Sequence, residues 1–302
     1  MSGATVLYDA PGPRARARYR VLGALTVAVG VLIVGGLIFL MIDTDQFSAG
    51  RVAQFQYVEV QRALLNGYLA TLKAAAIATV LALLLGAVLA TGRRAESTFV
   101  RGPSVALVEF FRAVPLLILI FFFYYGSLEY ELGLSPMWAV VLGLTLYNGS
   151  VLAEIFRAGI AAVPRGQSEA AFALGLTKGQ VMRQVLLPQA VRSMLPSIIS
   201  QLVVLLKDTA LGFIDTYNEL LYVAKQIGGR GGAFNFPYVL TYLIVAVIYI
   251  ATCVALSLLA SWLERRSRRS PQGAPPAEEL PAGEVAVQVP AGHRTAGTTT
   301  HA

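Results

Sequence analysis

Long apolar runs separated by short polar or charged stretches dominate the pattern along this chain. At about 1.5 Å per helical residue, six of these runs are long enough to cross roughly 30 Å of hydrocarbon. The pattern therefore predicts an all-α integral membrane protein with about six spans. They are expected at about residues 21–42, 66–91, 103–126, 136–158, 195–215 and 237–263.

Basic residues at the ends of these runs set the predicted orientation. Arginines at positions 14–20 precede the first run, Arg93 and Arg94 follow the second, and a basic cluster at 264–269 ends the last. Arginine and lysine concentrate on the cytoplasmic side of membrane proteins. Both termini are therefore predicted to be cytoplasmic, and so is the long polar insert at 163–196.

Composition agrees with this topology, since 56% of the 302 residues are hydrophobic and only 14% are charged. So little polar surface cannot cover a soluble globule of this size. The net charge of +7 comes mostly from the basic flanks, so no nucleic-acid partner is expected. The two ends, 1–20 and 270–302, are rich in proline, alanine and glycine and are predicted to be disordered. The single cysteine, Cys253, offers neither a disulfide nor a cysteine metal site.

Two charge pairs lie near the cytoplasmic ends of the third and fourth predicted spans. Glu109 with Arg112, and Glu154 with Arg157, are each three residues apart, so each pair lies on one face of its helix. Charged residues in membrane helices seldom face lipid. We expect both pairs to take part in packing or gating networks.

Lys207 and Asp208 are predicted near the middle of the bilayer, about 16 Å beyond Pro196. Charges at that depth cost several kcal/mol each unless they are paired or wetted. Adjacent residues point about 100° apart on a helix, so these two cannot pair well with each other. They either serve opposite ends of a zwitterionic substrate or hold neighbouring helices together.

The insert at 163–196 is predicted to form two short helices separated by a turn. Residues 167–173 are good helix formers, Gly175 breaks the run, and a second helix begins at Lys178. Such a short unit cannot bury itself. It is expected to expose the small residues Ala170, Ala171, Ala173 and Gly175, which allow close approach by another backbone. A cytoplasmic partner is predicted to dock there.

Several motifs in this chain together resemble one family. The Glu169-Ala170-Ala171 triplet, Gly175 and the later Leu187-Pro188 are similar to the cytoplasmic loop signature of permease subunits of ATP-binding-cassette importers. Further motifs over residues 66–263 resemble the polar amino-acid permeases of the histidine/glutamine/glutamate uptake group. They are Phe111–Leu117, Glu154–Ile160, Pro164–Gln167, Leu187–Ala190 and Lys207–Thr209. The first helix at 21–42 and both tails lie outside the resemblance.

The resemblance implies the type I importer permease fold in a bacterial plasma (inner) membrane, and a subunit that is not itself an enzyme. ATP and Mg would bind to a separate ATPase, and this chain has no glycine-rich loop ending in Gly-Lys-Ser/Thr. Other implied partners are a second permease subunit, identical or homologous, and an extracellular or periplasmic amino-acid-binding protein. The residues implied to contact the ATPase are Gly166, Gln167, Glu169, Ala170, Ala171, Gly175, Leu187 and Pro188.

The implied substrate is a polar amino acid, because residues 146–150 and 207–213 are most similar to glutamate permeases. An amino acid carries an ammonium and a carboxylate, and an anionic side chain needs a further cation nearby. The candidate pathway residues are Lys207, Asp208, Thr209, Arg112 and Asn148. Glutamine, aspartate and basic amino acids remain alternatives, as does a non-transporting, membrane-anchored interaction or signalling subunit.

Overall fold

The computed structural model of the chain describes residues 12–215, 217–229 and 238–268, with side chains up to Trp262. All regular structure in these ranges is helical. The helices are α1 (Pro13–Asp43), α2 (Ala49–Ala53), α3 (Val58–Arg93), α4 (Thr98–Ala113), α5 (Leu116–Glu129), α6 (Pro136–Ala161), α7 (Arg165–Ala173), α8 (Lys178–Gln180), α9 (Leu187–Asp208), α10 (Leu220–Gly229) and α11 (Tyr238–Arg268). A π-helical segment, Val181–Leu186, joins α8 to α9, and 3₁₀ turns occur at Gln54–Gln56 and Thr209–Phe213.

Five helical stretches of the described chain are long and apolar enough to span a membrane. They are α1, α3, α6, the continuous stretch Lys178–Phe213 and the described part of α11. The bent pair of α4 and α5 gives a sixth if it is counted as one span. The expected fold of about six membrane helices is therefore confirmed.

The third predicted span, 103–126, is not one continuous helix. It is divided between α4 and α5, whose axes are bent by 97° at the break. Val114 is extended, with φ −78° and ψ 128°, because the ring of Pro115 disfavours the helical conformation in the residue before it. Pro115 also lacks the N–H that would continue the helical hydrogen bonding. The interruption before Pro115 is therefore a sharp corner.

Helix α1 begins earlier than the sequence indicated. It starts at Pro13, so residues 13–20, which were expected to be disordered, form its first turns. Proline suits the first helical position because its missing N–H would have no partner there. No residue of α1 is buried. The rest of the predicted disorder, at 1–11 and 270–302, lies outside the described residues.

The segment 216–236, between the fifth and sixth predicted spans, is polar and glycine-rich, and it contains the helix α10. The Glu219 carboxylate accepts hydrogen bonds from the N–H groups of Leu221 (2.9 Å) and Tyr222 (2.6 Å), so it caps the start of the helix. Leu220, Val223, Ala224 and Ile227 are buried on the face of α10 that packs against α3 and α11. Residues 216 and 230–236 of this segment lie outside the described ranges.

The centre of the fold is the close packing of α3 against α6. Ala74, Ala78, Ala82 and Gly86 recur every fourth residue of α3 and are all buried. A Cβ added at Gly86 would lie 2.9 Å from the Cβ of Leu152 and 3.0 Å from the carbonyl oxygen of Gly149. Small residues at this spacing let membrane helices approach closely and gain van der Waals contact. Helices α5 and α9 pack on the other sides of α6.

Candidate functional site

The docking helix that was predicted within residues 163–196 corresponds to α7 (Arg165–Ala173). It ends in a motif in which the Gly175 N–H donates to the Phe172 carbonyl (2.9 Å) and the Leu176 N–H donates to the Ala171 carbonyl (3.2 Å). Gly175 adopts φ +80°, a conformation that favours glycine because other residues are strained by their Cβ. The glycine therefore fixes where α7 stops and how the chain leaves it.

The outer face of α7 is more apolar than the sequence indicated. Gly166, Gln167, Glu169, Ala170 and Gly175 are exposed, as expected. The expectation was wrong for Ala171, which is 5% exposed because α7 packs against the π-helical segment.

Two large apolar side chains are exposed at the C-terminal end of α7 instead. Phe172 is 48% exposed and Leu174 is 82% exposed. Clustered exposed apolar side chains of this size are typical of protein contact sites.

Helix α7 is connected to the membrane helices by polar contacts. The Gln189 side-chain amide at the start of α9 donates to Oε1 of Gln167 (3.4 Å) and to the Val185 carbonyl (3.0 Å). The helix widens to π geometry just before Pro188, which has no N–H for the carbonyl one turn earlier. Leu187 and Pro188, the last two predicted docking residues, are exposed at this junction.

An ion pair links Lys178, the first residue of α8, to the loop between α3 and α4. The Lys178 ammonium lies 2.7 Å from Oε1 of Glu96. This hydrogen bond lowers the pKa of the Glu96 carboxyl. Thr177 begins the short helix α8, and its N–H and hydroxyl both donate to Oε1 of Gln180 (2.8 and 3.0 Å).

The two predicted charge pairs are joined into one network by Arg93, which the sequence pattern did not connect to them. The Arg93 guanidinium lies 3.5 Å from Glu109 of α4 and 3.2 Å from Glu154 of α6. Arg112 lies 3.9 Å from Glu109, and Arg157 pairs with Glu154. The Arg93 side chain is only 11% exposed, so the network ties α3, α4 and α6 together in a partly dry environment.

The five candidate pathway residues do not form one cluster. Arg112 pairs with Glu109 in the network above. Asn148 is fully buried, donates to the Leu144 carbonyl (3.0 Å) and accepts a hydrogen bond from Gln201 of α9 (2.7 Å). These bonds give Asn148 a role in fixing α9 on α6. Gln201, an amide side chain within the span predicted at 195–215, was the signal in the sequence that could have shown it.

Lys207, Asp208 and Thr209 differ in exposure although they are consecutive. The Thr209 hydroxyl is buried and donates to the Leu206 carbonyl (2.7 Å). Asp208 is half-buried, and Lys207 is exposed. Lys207 lines a groove of about 280 Å³ between α9 and α11, which also includes the hydroxyl-bearing residues Ser200, Ser257 and Ser261. Lys207 is therefore the pathway candidate that is accessible at membrane depth.

Buried polar residues around α10 form a second cluster that the sequence pattern did not single out. The Glu219 carboxylate accepts a hydrogen bond from the Tyr249 hydroxyl of α11 (2.8 Å), and the Tyr217 hydroxyl donates to the Ala70 carbonyl of α3 (2.8 Å). The backbone N–H of Leu220 donates to the hydroxyl of Thr71 (3.1 Å). In the sequence these residues look like an ordinary polar loop, and only packing shows that they anchor α10.

Comparison with known proteins agrees with the arrangement of the described helices. Residues 82–269 match the family model described as "Binding-protein-dependent transport system inner membrane component". The chain is 43% identical over 208 residues to the glutamate transport system permease protein GluD of Corynebacterium glutamicum, covering 68% of this chain and 75% of that protein. It is 36% identical to the probable glutamine ABC transporter permease protein GlnP of Bacillus subtilis, covering 67% and 92%.

A glutamate/aspartate import permease protein, GltK of Escherichia coli O157:H7, is 35% identical, covering 68% of this chain and 93% of that protein. Among solved structures, a crystal structure of an amino acid ABC transporter with histidines superposes with a TM-score of 0.66 at 29% identity. That match covers 72% of this chain and 98% of the other.

Proposed function

Because the chain belongs to the family of binding-protein-dependent transport system inner membrane components, we propose that it is the permease subunit of an ATP-driven amino-acid importer. We propose glutamate as its substrate. The observation that carries the proposal is the exposed face of α7, with Glu169, Phe172 and Leu174, held at the end of the membrane helices.

In the proposed mechanism, α7 is a coupling helix that docks on a separate ATPase subunit. Its contact set comprises Gly166, Gln167, Glu169, Ala170, Gly175, Leu187 and Pro188, with Phe172 and Leu174 added by their exposure. Ala171 acts from the buried side, as the seat of α7 on the π-helical segment. In this mechanism ATP and Mg bind to the ATPase subunit.

Movement of α7 has two routes into the membrane helices. One route runs through the π-helical segment and the Gln167–Gln189 contact to α9, which carries Lys207. The other runs through the Lys178–Glu96 ion pair to the loop between α3 and α4. The Arg93 network then joins α3, α4 and α6 at this end, so these helices shift together rather than singly.

The proposed pathway lies along the face of α9 that exposes Lys207. A bare ammonium at this depth is unfavourable against lipid, so the face must border water, substrate or a second permease subunit. A second permease subunit, identical or homologous, and an external amino-acid-binding protein complete the proposed importer. We propose a cytoplasmic location for both termini and α7, as the basic flanks predict.

The glutamate proposal is supported by the lysine and by the relatives. A cation that is accessible in the membrane favours an anionic substrate, and two of the similar proteins are named as glutamate permeases. The relative named for glutamine makes that amino acid the main alternative.

The test is uptake of radiolabelled glutamate into proteoliposomes that hold this subunit with its co-purified partners and external binding protein. We expect saturable uptake that requires internal ATP, fails with ADP, and is competed by unlabelled glutamate and aspartate. Competition by glutamine or arginine alone would support the proposal of an amino-acid importer but contradict glutamate as its substrate. Absence of ATP-dependent uptake for every amino acid would favour a non-transporting interaction subunit.

A further inference from the structure

A large apolar cavity lies where α3, α6, α7 and α9 separate, at the end of the bundle that carries α7. Its volume is about 770 Å³, within the usual range for small-molecule sites. The lining is mostly apolar and includes Phe156, Ile160, Phe172, Met182, Leu187 and Met194. This cavity is separate from the groove beside Lys207, whose lining residues are different.

The polar part of the lining is cationic. Arg94 and Lys178 both border the cavity. Lys178 is neutralised by Glu96, at 2.7 Å. Arg94 is exposed, and none of the ion pairs found in residues 12–215, 217–229 and 238–262 includes it. The cavity therefore combines an apolar interior with one uncompensated positive charge at its edge.

The position of Arg94 places that edge at a membrane boundary. Arg94 immediately follows α3, whose apolar run it ends. The cavity extends along α3 from there, past Ala90 and Ala87. The apolar walls of this cavity offer water few hydrogen-bond partners, so they favour contact with an apolar chain over contact with water. Basic pockets between membrane helices at this boundary are suited to anionic lipid headgroups.

We propose that the cavity binds one acyl chain of an anionic phospholipid from the leaflet nearest α7, with the phosphate held by Arg94. The acyl chain lies against α3, α6 and α9, and at the open edge of the cavity it contacts Phe172, which borders the cavity and is also partly exposed. The lipid therefore fills the space beneath the helix that we propose to couple to the ATPase. The site goes beyond the proposed transport function and does not depend on which amino acid is carried.

The test is photolabelling of the full-length protein, purified with its partner subunits and placed in nanodiscs. The probe is phosphatidylglycerol with a diazirine in one acyl chain, and the readout is mass spectrometry of labelled peptides. We expect labels on the peptides with Phe172, Met182 and Met194. Phosphatidylcholine with the same labelled chain should give about fivefold less labelling, because one basic residue raises the affinity for an anionic lipid by about this factor.

Two variants and a control make the test specific. Arg94→Gln should reduce phosphatidylglycerol labelling about fivefold, to the level given by phosphatidylcholine. Ala87→Phe, at an exposed position of the lining, should abolish labelling with either headgroup because the ring occupies the chain's space. Arg101→Gln is the matched control, since Arg101 is exposed on α4 and does not border the cavity. Size-exclusion profiles should be the same for all variants.

Three results would overturn the proposal. The first is an absence of labels from the cavity peptides in the assembled protein, as expected if a partner subunit fills the space. The second is equal labelling by phosphatidylglycerol and phosphatidylcholine, which would show that the site does not select an anionic headgroup. The third is an equal loss of labelling in Arg94→Gln and Arg101→Gln, which would show a general surface-charge effect.

Discussion

At the scale of single residues, Glu169 is the most direct test of α7 as a docking helix. Its side chain is exposed and takes part in none of the ion pairs of the described residues. Reversing its charge therefore leaves the fold of this chain intact and changes the charge that a docking partner contacts. We expect Glu169→Arg to lower ATP-dependent uptake at least about tenfold, the effect of roughly 1.4 kcal/mol of lost interaction.

The measurement for Glu169→Arg is uptake together with co-purification of the ATPase subunit. Glu129→Arg is the matched control, because Glu129 is also exposed but ends α5, away from α7. Normal uptake by Glu169→Arg would show that this carboxylate takes no part in the coupling contact.

Substitution of Gly175 tests the backbone conformation at the end of α7 rather than a side-chain contact. A Cβ at this position would meet nothing within 4 Å, so the cost of Gly175→Ala comes only from the left-handed conformation at φ +80°. That cost is about 1–2 kcal/mol. We expect the end of α7 to rearrange and uptake to fall, with little change in the melting temperature of the membrane helices.

Gly179→Ala is the control for this variant, because Gly179 is exposed and helical, and a Cβ added there would also meet nothing within 4 Å. Its uptake should equal that of the wild type. If both alanine variants behave alike, the left-handed turn after α7 is not needed for coupling.

Lys207 and Asn148 should separate transport from assembly. Lys207 is exposed in the groove between α9 and α11, so Lys207→Met is expected to reduce glutamate uptake strongly and leave the melting temperature unchanged. Asn148 is buried and bonded to Gln201, so Asn148→Ala leaves the half-buried amide of Gln201 without this hydrogen bond. That loss costs about 1–3 kcal/mol and should lower the melting temperature.

Both effects are read from one preparation of each variant, by fluorescence-monitored melting and by uptake. An equal loss of stability in Lys207→Met and Asn148→Ala would assign Lys207 to the structural network instead of the pathway.

At the scale of elements, the contact of α3 with α6 depends on small residues. A side chain at Gly86 would press on Leu152 and on the carbonyl of Gly149 at 2.9–3.0 Å, and neither helix backbone can move without losing its other contacts. We expect Gly86→Val to destabilise the bundle by about 1–3 kcal/mol, as overpacking does. Gly126→Val is the comparison, because Gly126 lies within α5, does not precede a proline and has open space around it. A melting temperature that falls equally in both variants would show that helix propensity, not close packing, is responsible.

The corner between α4 and α5 shows that a proline predicts where a helix is interrupted but not the angle between the two parts. Pro115 predicts an interruption because a proline constrains its own backbone and that of the residue before it. It does not predict an angle of 97°. That angle follows from packing, since α5 fits against α6 at Gly143 while the ion pairs of Glu109 hold α4 to α3. These contacts involve residues far apart in the chain.

At the scale of the whole molecule, the same distinction separates what the sequence could predict from what it could not. Long apolar runs and basic flanks are local signals, so the number of spans and the place of the polar insert follow from them. Burial of Asn148 and Glu219, and the bridging position of Arg93, depend on which helices become neighbours. The motifs located α7 correctly, but its exposed face at Phe172 and Leu174 was set by which side packs on the π-helical segment.

Helix α1 stands apart from the rest of the molecule. None of its residues is buried, and it lies before residue 82, where the match to the family model begins. Packing energy is gained only where surfaces meet, so α1 adds little to the stability of the other helices. Its removal also leaves Arg93, Arg94 and the basic cluster at 264–269, which are sufficient to orient the remaining helices.

We therefore expect a variant lacking residues 1–42 to insert in the same orientation, with a melting temperature within about 2 °C of the full chain. This is the shift expected for less than about 1 kcal/mol in a domain of this size. Uptake per assembled complex should also be unchanged. A large loss of stability or of partner co-purification would show that α1 contacts another subunit in the assembled importer, because this chain alone offers it no buried surface.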